Sequence, residues 1–166
     1  MSGLSHKRLL ELVHFDPVVG VFIRRVANGT AKTGDICGYV RPDGYIAISV
    51  DGRGSFLGHR LAWFYVTGEW PSDHTDHING IRSDNRFSNL RKATARQNCS
   101  NTGPQTNNTS GVKGVYWSRI RRKWVAQIGA NRRVLNLGGF DRLEDAVAAR
   151  KQAEIDLQGE FRWQTN

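Results

Sequence analysis

The chain has 166 residues, with 24 Lys and Arg against 15 Asp and Glu for a formal charge of +9, and its hydrophobic fraction of 39% allows one modest domain or two small ones. No run of eighteen apolar residues exists, which excludes a conventional membrane-spanning helix, and the charge-interrupted start "MSGLSHKRLLELVHFD" is not a secretion signal. Cys37 and Cys99 are too far apart for a C-x-x-C pair, so neither a disulfide scaffold nor a four-cysteine zinc site is available; a reducing compartment fits, and the basic excess favours a polyanionic partner.

In chain order, "SHKRLLELVH" predicts a short helix, Asp16-Pro17 a turn and "GVFIRRV" (20–26) a strand. After a loop at 28–35, "ICGYV" and "YIAISVDG" make an antiparallel pair around the turn "RPDG" at 41–44. Alternation puts Ile46, Ile48 and Val50 on one face of the second strand and Tyr45, Ala47 and Ser49 on the other. "GHRLAWFYVTGEW" (58–70) predicts a helix with Leu61, Phe64 and Tyr65 on one stripe and a stop at Gly68. Residues 74–98 carry turn signals around a short strand, "NLRKA". Thr94 with Gln97 then forms a capping box, which places Asn98 in the first or second turn of a brief helix.

The polar, Gly- and Pro-containing stretch "NCSNTGPQTNNTSG" reads as a linker. Beyond it come three strands, "GVKGVYW" (111–117), "KWVAQIG" (123–129) and "RVLNLGGF" (133–140), and a helix capped by Asp141 with Glu144 at its third position, ending before Gly159. Leu143, Ala146, Val147, Ala149, Ala153 and Leu157 could face the sheet.

Asp76 and His77 are adjacent, Asn89 follows the histidine by twelve residues, and Asn98 follows by nine more. A carboxylate and a carboxamide are hard oxygen donors suited to magnesium, which keeps several waters and shares phosphate oxygens. An imidazole beside such an ion can take the proton of an attacking water. In an extended segment Asp76 and His77 point to opposite faces, so one can serve the ion while the other addresses a phosphate. Asn89 can clamp backbone groups and hold His77 in one tautomer. The same residue types also suit a turn-rich surface, since Asn tolerates unusual backbone angles. The charge around them, Arg82, Arg86, Arg91, Lys92 and Arg96 against Asp84, fits phosphodiester chemistry.

The stretch "HRLAWFYVTGEWPSDHTDHINGIRSDNRFSNLRKATARQN", residues 59–98, resembles the HNH endonuclease family, particularly its phage-type and intron-type homing branch. The resemblance implies a ββα-metal fold with His77 as general base, Asp76 and Asn98 holding the divalent ion, and Asn89 as the orienting residue. Many members have histidine where this chain has Asn98, which favours Mg²⁺, with Mn²⁺ as a substitute, over softer metals. Many also carry cysteine pairs for a structural zinc, and none is expected here. His59 is expected to be structural or phosphate-facing, and His74 has no assigned role.

Between 113 and 133 stand Lys113, Arg119, Arg121, Arg122, Lys123, Arg132 and Arg133 with no acid, and Trp117 and Trp124 are interleaved. This segregation predicts a sheet that meets DNA, with phosphate contacts outnumbering base contacts. "SGVKGVYW", "KWVAQI", "LGGFD" and the alanine-rich helix resemble the AP2 DNA-binding domain, in which a three-stranded sheet enters the major groove. That resemblance implies DNA contacts from Arg119, Arg121, Lys123, Arg132 and Arg133.

The expected fold class is α+β. It comprises an α/β bracing segment (1–58), a ββα-metal nuclease unit (59–100), a linker (101–110) and an AP2-like three-stranded antiparallel sheet with one helix (111–166). The expected activity is that of a homing-type DNA endonuclease, nicking or cutting both strands of double-stranded DNA as a monomer or homodimer in the cytoplasm of a phage-infected host. The alternative is a catalytically inactive DNA-binding regulator, with an architectural or RNA-binding role further off.

Overall fold

The computed structural model describes residues 3–52, 54–101, 103–104, 106–130 and 133–158. The chain divides into two compact units, residues 1–98 and 99–165.

The first unit begins with α1 (His6–Leu12), whose N-cap Ser5 accepts from the Arg8 amide at 3.2 Å. β1 (Val13–Asp16) and β2 (Val21–Arg24) pair antiparallel around a turn in which the Asp16 carboxylate accepts from the amides of Val18 and Val19. β3 (Ile36–Cys37) extends that sheet in the order β1-β2-β3. A second sheet, β4 (Tyr39–Val40), β5 (Ile46–Ser49) and β6 (Ser55–Leu57), follows at once.

"ICGYV" therefore does not form the single strand its composition predicts. Gly38 has φ 106°, and a Cβ there would stand 2.9 Å from both the Ala47 carbonyl oxygen and Ile48 Cγ1. Only glycine fits the bend and the close approach, and the chain uses it to pass from one sheet to the next.

α2 (Gly58–Thr67) stops at Gly68 as the pattern predicts, burying Leu61, Ala62 and Phe64. β7 (His74–His77) and β8 (Leu90–Ala93) then form a two-stranded antiparallel sheet with the register Asp76↔Arg91 and His77↔Leu90. The intervening loop ends in one turn of 3₁₀ helix, Phe87–Asn89. α3 (Ala95–Ser100) starts on the capping box read from the sequence. The Gln97 carboxamide oxygen accepts from the Thr94 amide at 2.8 Å, and the Gln97 amide donates to the Thr94 hydroxyl at 3.3 Å.

One core joins these pieces: Leu9, Val13, Phe15, Phe22, Ile48 and Val50 pack with Leu61, Phe64 and Leu90. The first 58 residues thus share their interior with α2 and β8. Each fully buried Phe or Leu contributes about 1.5–3 kcal/mol, so the helix and hairpin depend on that segment for much of their stability. Stacked rings of Phe64 and Trp70, with centroids 4.3 Å apart, fix the chain leaving α2 on its way to β7.

The second unit contains β9 (Val115–Ser118), β10 (Lys123–Ala130), β11 (Arg133–Phe140) and α4 (Leu143–Gln158). The sheet order is β11-β10-β9, all antiparallel, with a bulge between Ala126 and Gln127. Val115, Ala126 and Ala146 form its small core, flanked by Trp124, Leu137, Phe140 and Leu143. Ala146 and Ala153 are buried as the helical pattern predicts, whereas Leu157 is 47% exposed. Asp141 lies before the helix but does not take the position predicted for it: the Ala146 amide reaches the Arg142 carbonyl, and the Asp141 carboxylate lies 3.3 Å from Lys123 Nζ. Among the described residues, no helix is long and apolar enough to cross a membrane.

Candidate active site

Adjacent strand residues face opposite ways, and Asp76 and His77 accordingly meet different partners. Both are buried, at 5% and 4% exposure. Asp76 Oδ2 accepts from Arg91 Nε at 3.0 Å and from Nη2 at 2.9 Å, directly across the hairpin. His77 Nε2 lies 3.1 Å from the Asn85 side-chain oxygen. Its ring is T-shaped against His59 at 4.9 Å between centroids, and Tyr45 lies beside both histidines.

Burial is the largest influence on His77 and lowers its pKa from the usual histidine value, against the opposing pull of Asn85, Asp76 and Asp84. At neutral pH the ring is therefore neutral. His59 is pushed further, to about 3, by burial and then by the neighbouring His77. Its Nδ1 is buried with no hydrogen-bond partner among the described residues. His59 is thus an internal ring packed on His77. His74, at the exposed start of β7, shows no comparable engagement.

Asn89 serves the loop. Its side-chain oxygen accepts from the Asn79 amide at 3.0 Å, while its Nδ2 donates to the Asn79 side-chain oxygen at 3.0 Å and to the Asp84 carbonyl at 2.8 Å. Asn79 Nδ2 in turn donates to the Asp84 carboxylate, which Arg86 also grips. Those contacts, Arg86 first, hold the Asp84 carboxyl down at about 2. The loop of residues 78–89 is a hydrogen-bonded frame, and the carboxamide bonded to the His77 ring belongs to Asn85. Sequence reasoning passed over Asn85 because "SDNR" reads as an ordinary turn; its 2% exposure marks it out. Asn98 enters from α3, half-buried, with its amide donating to the Thr94 carbonyl at 3.0 Å.

The basic residues of this region are partly spoken for. Arg91 is turned inward onto Asp76, Arg82 donates to the Asp43 carbonyl at 2.8 Å with its guanidinium 5.0 Å from the Tyr45 ring centroid, and Lys92 lies 5.5 Å from that of Trp63. The side chain of Arg96 lies outside the described residues, as does Arg132. In the second unit, Arg119, Arg121 and Arg122 stand exposed around the β9–β10 turn, and Arg133 is exposed at the start of β11. Lys113 and Lys123 are half-buried. Trp117 and Trp124 pair across β9 and β10 as T-shaped rings at 5.4 Å.

The sequence profile described as HNH endonuclease matches residues 57–99, the stretch that builds α2, the β7–β8 hairpin and the start of α3. Protein 3.8 of Escherichia phage T7 is 33% identical to this chain over 104 residues, which span 62% of the chain and 85% of that phage protein. Residues 57–99 thus carry the HNH endonuclease match, and the chain as a whole is a relative of that phage protein. No solved structure matches the chain. The HNH stretch contains the buried Asp76–His77 pair and the hydrogen-bonded loop, so the family match and this buried polar cluster fall on the same residues. An HNH domain implies a nuclease with DNA as its substrate, and its presence gives the basic surface of this chain a polyanion to meet.

Proposed function

We propose that this HNH protein is a metal-dependent, homing-type DNA endonuclease in which His77 activates water for attack on a phosphodiester, and that its second unit is an AP2-like targeting domain. The observation that carries the reading is His77 itself. It is a buried imidazole, kept neutral by its surroundings and fixed by a carboxamide, on a strand whose adjacent buried residue is a carboxylate. In the proposed reaction, water attacks phosphorus and gives its proton to His77. The P–O3′ bond breaks, the departing 3′ oxygen takes a proton from solvent to become the 3′ hydroxyl of one fragment, and the other fragment keeps the 5′ phosphate while His77 returns its proton to solvent.

Asp76 and Asn98 are the proposed holders of a divalent ion. Among the described residues, no group of three His, Cys, Asp or Glu side chains gathers that could hold a metal. A bound ion would therefore draw on one carboxylate, one carboxamide, water and DNA phosphate, an all-oxygen set that fits Mg²⁺ or Mn²⁺. When bound, such an ion supplies charge stabilisation at the departing oxygen. Arg91, through its two hydrogen bonds, holds the Asp76 carboxylate in one orientation. Asn89 acts at one remove, by holding the loop that carries Asp84 and Asn85.

The exposed arginines, Lys113, Lys123 and Arg132 of the second unit, and separately the remaining basic side chains of the first, are the proposed contacts to double-stranded DNA. The rival reading, a DNA-binding regulator without turnover, draws on the commitment of Asp76 to Arg91. Cleavage of supercoiled plasmid and phage DNA in Mg²⁺, Mn²⁺ or EDTA, with His77→Ala alongside, separates the two. Metal-dependent open circles or linear products that the variant fails to make support the nuclease. Tight binding without cutting, across host and phage DNA, supports the regulator.

A further inference from the structure

We propose that Asn85 is the positioning residue for His77: its side-chain oxygen accepts a hydrogen bond from the Nε2–H and thereby makes Nδ1 the accepting nitrogen of the ring. The kinetic consequence rests on the nuclease reading above, while the structural claim stands without it.

A neutral imidazole has one N–H donor and one acceptor nitrogen, so whatever partner claims one nitrogen settles the role of the other. Asn85 is the partner at Nε2, at 3.1 Å and inside the protein. Which end of a carboxamide faces a ring must be argued from its surroundings. On its far side, Asn85 Nδ2 occupies the space that a side chain on Gly58 would fill, 2.7 Å from where that Cβ would stand. Of the two ends, Oδ1 is the one that lies at the His77 ring, and Nδ2 lies toward Gly58.

The backbone of Asn85 is anchored as firmly as its side chain. A Cβ on Gly20, in the β1–β2 turn, would collide with the Arg86 amide nitrogen and stand 2.6 Å from the Asn85 carbonyl carbon. The Phe87 amide donates to the Pro17 carbonyl at 2.9 Å in the same place. The N-terminal sheet thus reaches the imidazole through one loop: Pro17 and Gly20 set the Asn85 backbone, Gly58 admits its amide, and the oxygen meets Nε2. This gives the first 58 residues a role at the reacting end of the protein as well as in its core. A pair that merely filled the interior would be indifferent to which nitrogen carried the proton.

The test reads the tautomer directly. Long-range proton–nitrogen spectra of the ¹⁵N-labelled full chain are recorded at neutral pH without DNA or metal, and His77 is assigned by its loss in His77→Ala. The wild-type ring is expected in the Nε2–H form; an Nδ1–H ring overturns the proposal, and this result needs no variant at Asn85 to fold. Asn85→Ala is expected to release a mixture of tautomers, and Asn85→Asp, which keeps the acceptor, to restore the Nε2–H signature. A folded Asn85→Ala protein with an unchanged tautomer also overturns it. Gly58→Ala is expected to disturb the His77 signature in the wild-type chain and to add nothing on the Asn85→Ala background. In single-turnover cleavage, Asn85→Ala is expected to lose roughly ten- to a hundredfold in rate at unchanged DNA affinity, the usual effect of removing a partner that orients a functional imidazole. If the wild type does not cleave at all, the nuclease reading fails while the tautomer result still decides the role of Asn85.

Discussion

The two units carry similar runs of positive charge and use them differently. In the first, Arg91 lies inside on Asp76, Arg86 grips Asp84, and Arg82 is bonded to the Asp43 carbonyl. In the second, Arg119, Arg121, Arg122 and Arg133 are exposed, with no acidic partner among the described residues. The first unit builds a closed polar interior whose charges answer one another, and the second keeps an open basic surface. Charge density in a sequence cannot distinguish these uses, because what decides them is which residue lies across the sheet. Asp76 sits opposite Arg91, whereas nothing acidic is present between 113 and 133 to claim the arginines there.

The contrast breaks most visibly under substitution of the interior. His77→Ala is expected to lower the cleavage rate by about 10²–10⁴-fold, the usual contribution of a positioned general base, while leaving DNA affinity in place. Plasmid cleavage alongside a gel shift reads both quantities, and a parallel loss of binding would assign His77 to the DNA surface instead. Arg91→Ala is expected to act first on stability. It leaves a buried carboxylate without its principal cation, which costs about 3–5 kcal/mol when a buried pair is broken from one side. Urea melts check this, and an unchanged midpoint would mean that Asp76 is solvated well enough to do without Arg91.

The open surface should respond in the opposite way. Arg119→Ala, Arg121→Ala, Arg122→Ala and Arg133→Ala together are expected to leave the melting curve close to wild type. They should also reduce the dependence of DNA affinity on log salt by about 0.9 for each phosphate that an arginine no longer neutralises. Fluorescence anisotropy over a salt series measures the slope. A slope that stays put would show that these arginines do not touch phosphate and would remove the second unit from the proposed interface.

Much of this was legible from residue order alone. The Thr94–Gln97 capping box appears atom for atom, α2 ends at Gly68, and the two long strands of the second unit start and stop within a residue of where alternation puts them. The adjacent Asp76 and His77 could be singled out because hard oxygen and imidazole chemistry narrows the residue types so strongly. What stayed hidden depends on contacts between distant segments. The exchange of sheets at Gly38 follows from its close approach to residues 47 and 48, and the commitment of Arg91 follows from hairpin register. Asn85 is the sharpest case. "DNR" is a turn signal on any local reading, and only Pro17, Gly20 and Gly58, 27 to 68 positions away, turn it into a side chain held against an imidazole.

The smallest expected effect separates the units by pH. All five histidines lie in residues 1–98, and among them His59 is held neutral down to about 3. In the unfolded chain the same ring titrates near 6.5. Below that value the unfolded state takes up a proton that the folded state refuses. Stability from this group is therefore complete above pH 6.5 and is lost as pH falls toward 3, at up to about 1.4 kcal/mol per unit. His77, also lowered by burial, adds in the same direction. The Asp84 carboxyl, held near 2, acts only below its unfolded value and so leaves the range from pH 5 to 7 to the histidines. Between pH 7 and 5 the first unit should lose about 2 kcal/mol through His59, and His59→Phe should remove that share of the loss. Hydrogen exchange on the intact chain, followed separately in β7–β8 and in β9–β11, is the measurement. Protection that falls equally in both sheets, or a slope that survives His59→Phe, would show that the buried imidazole is not what couples the first unit to pH.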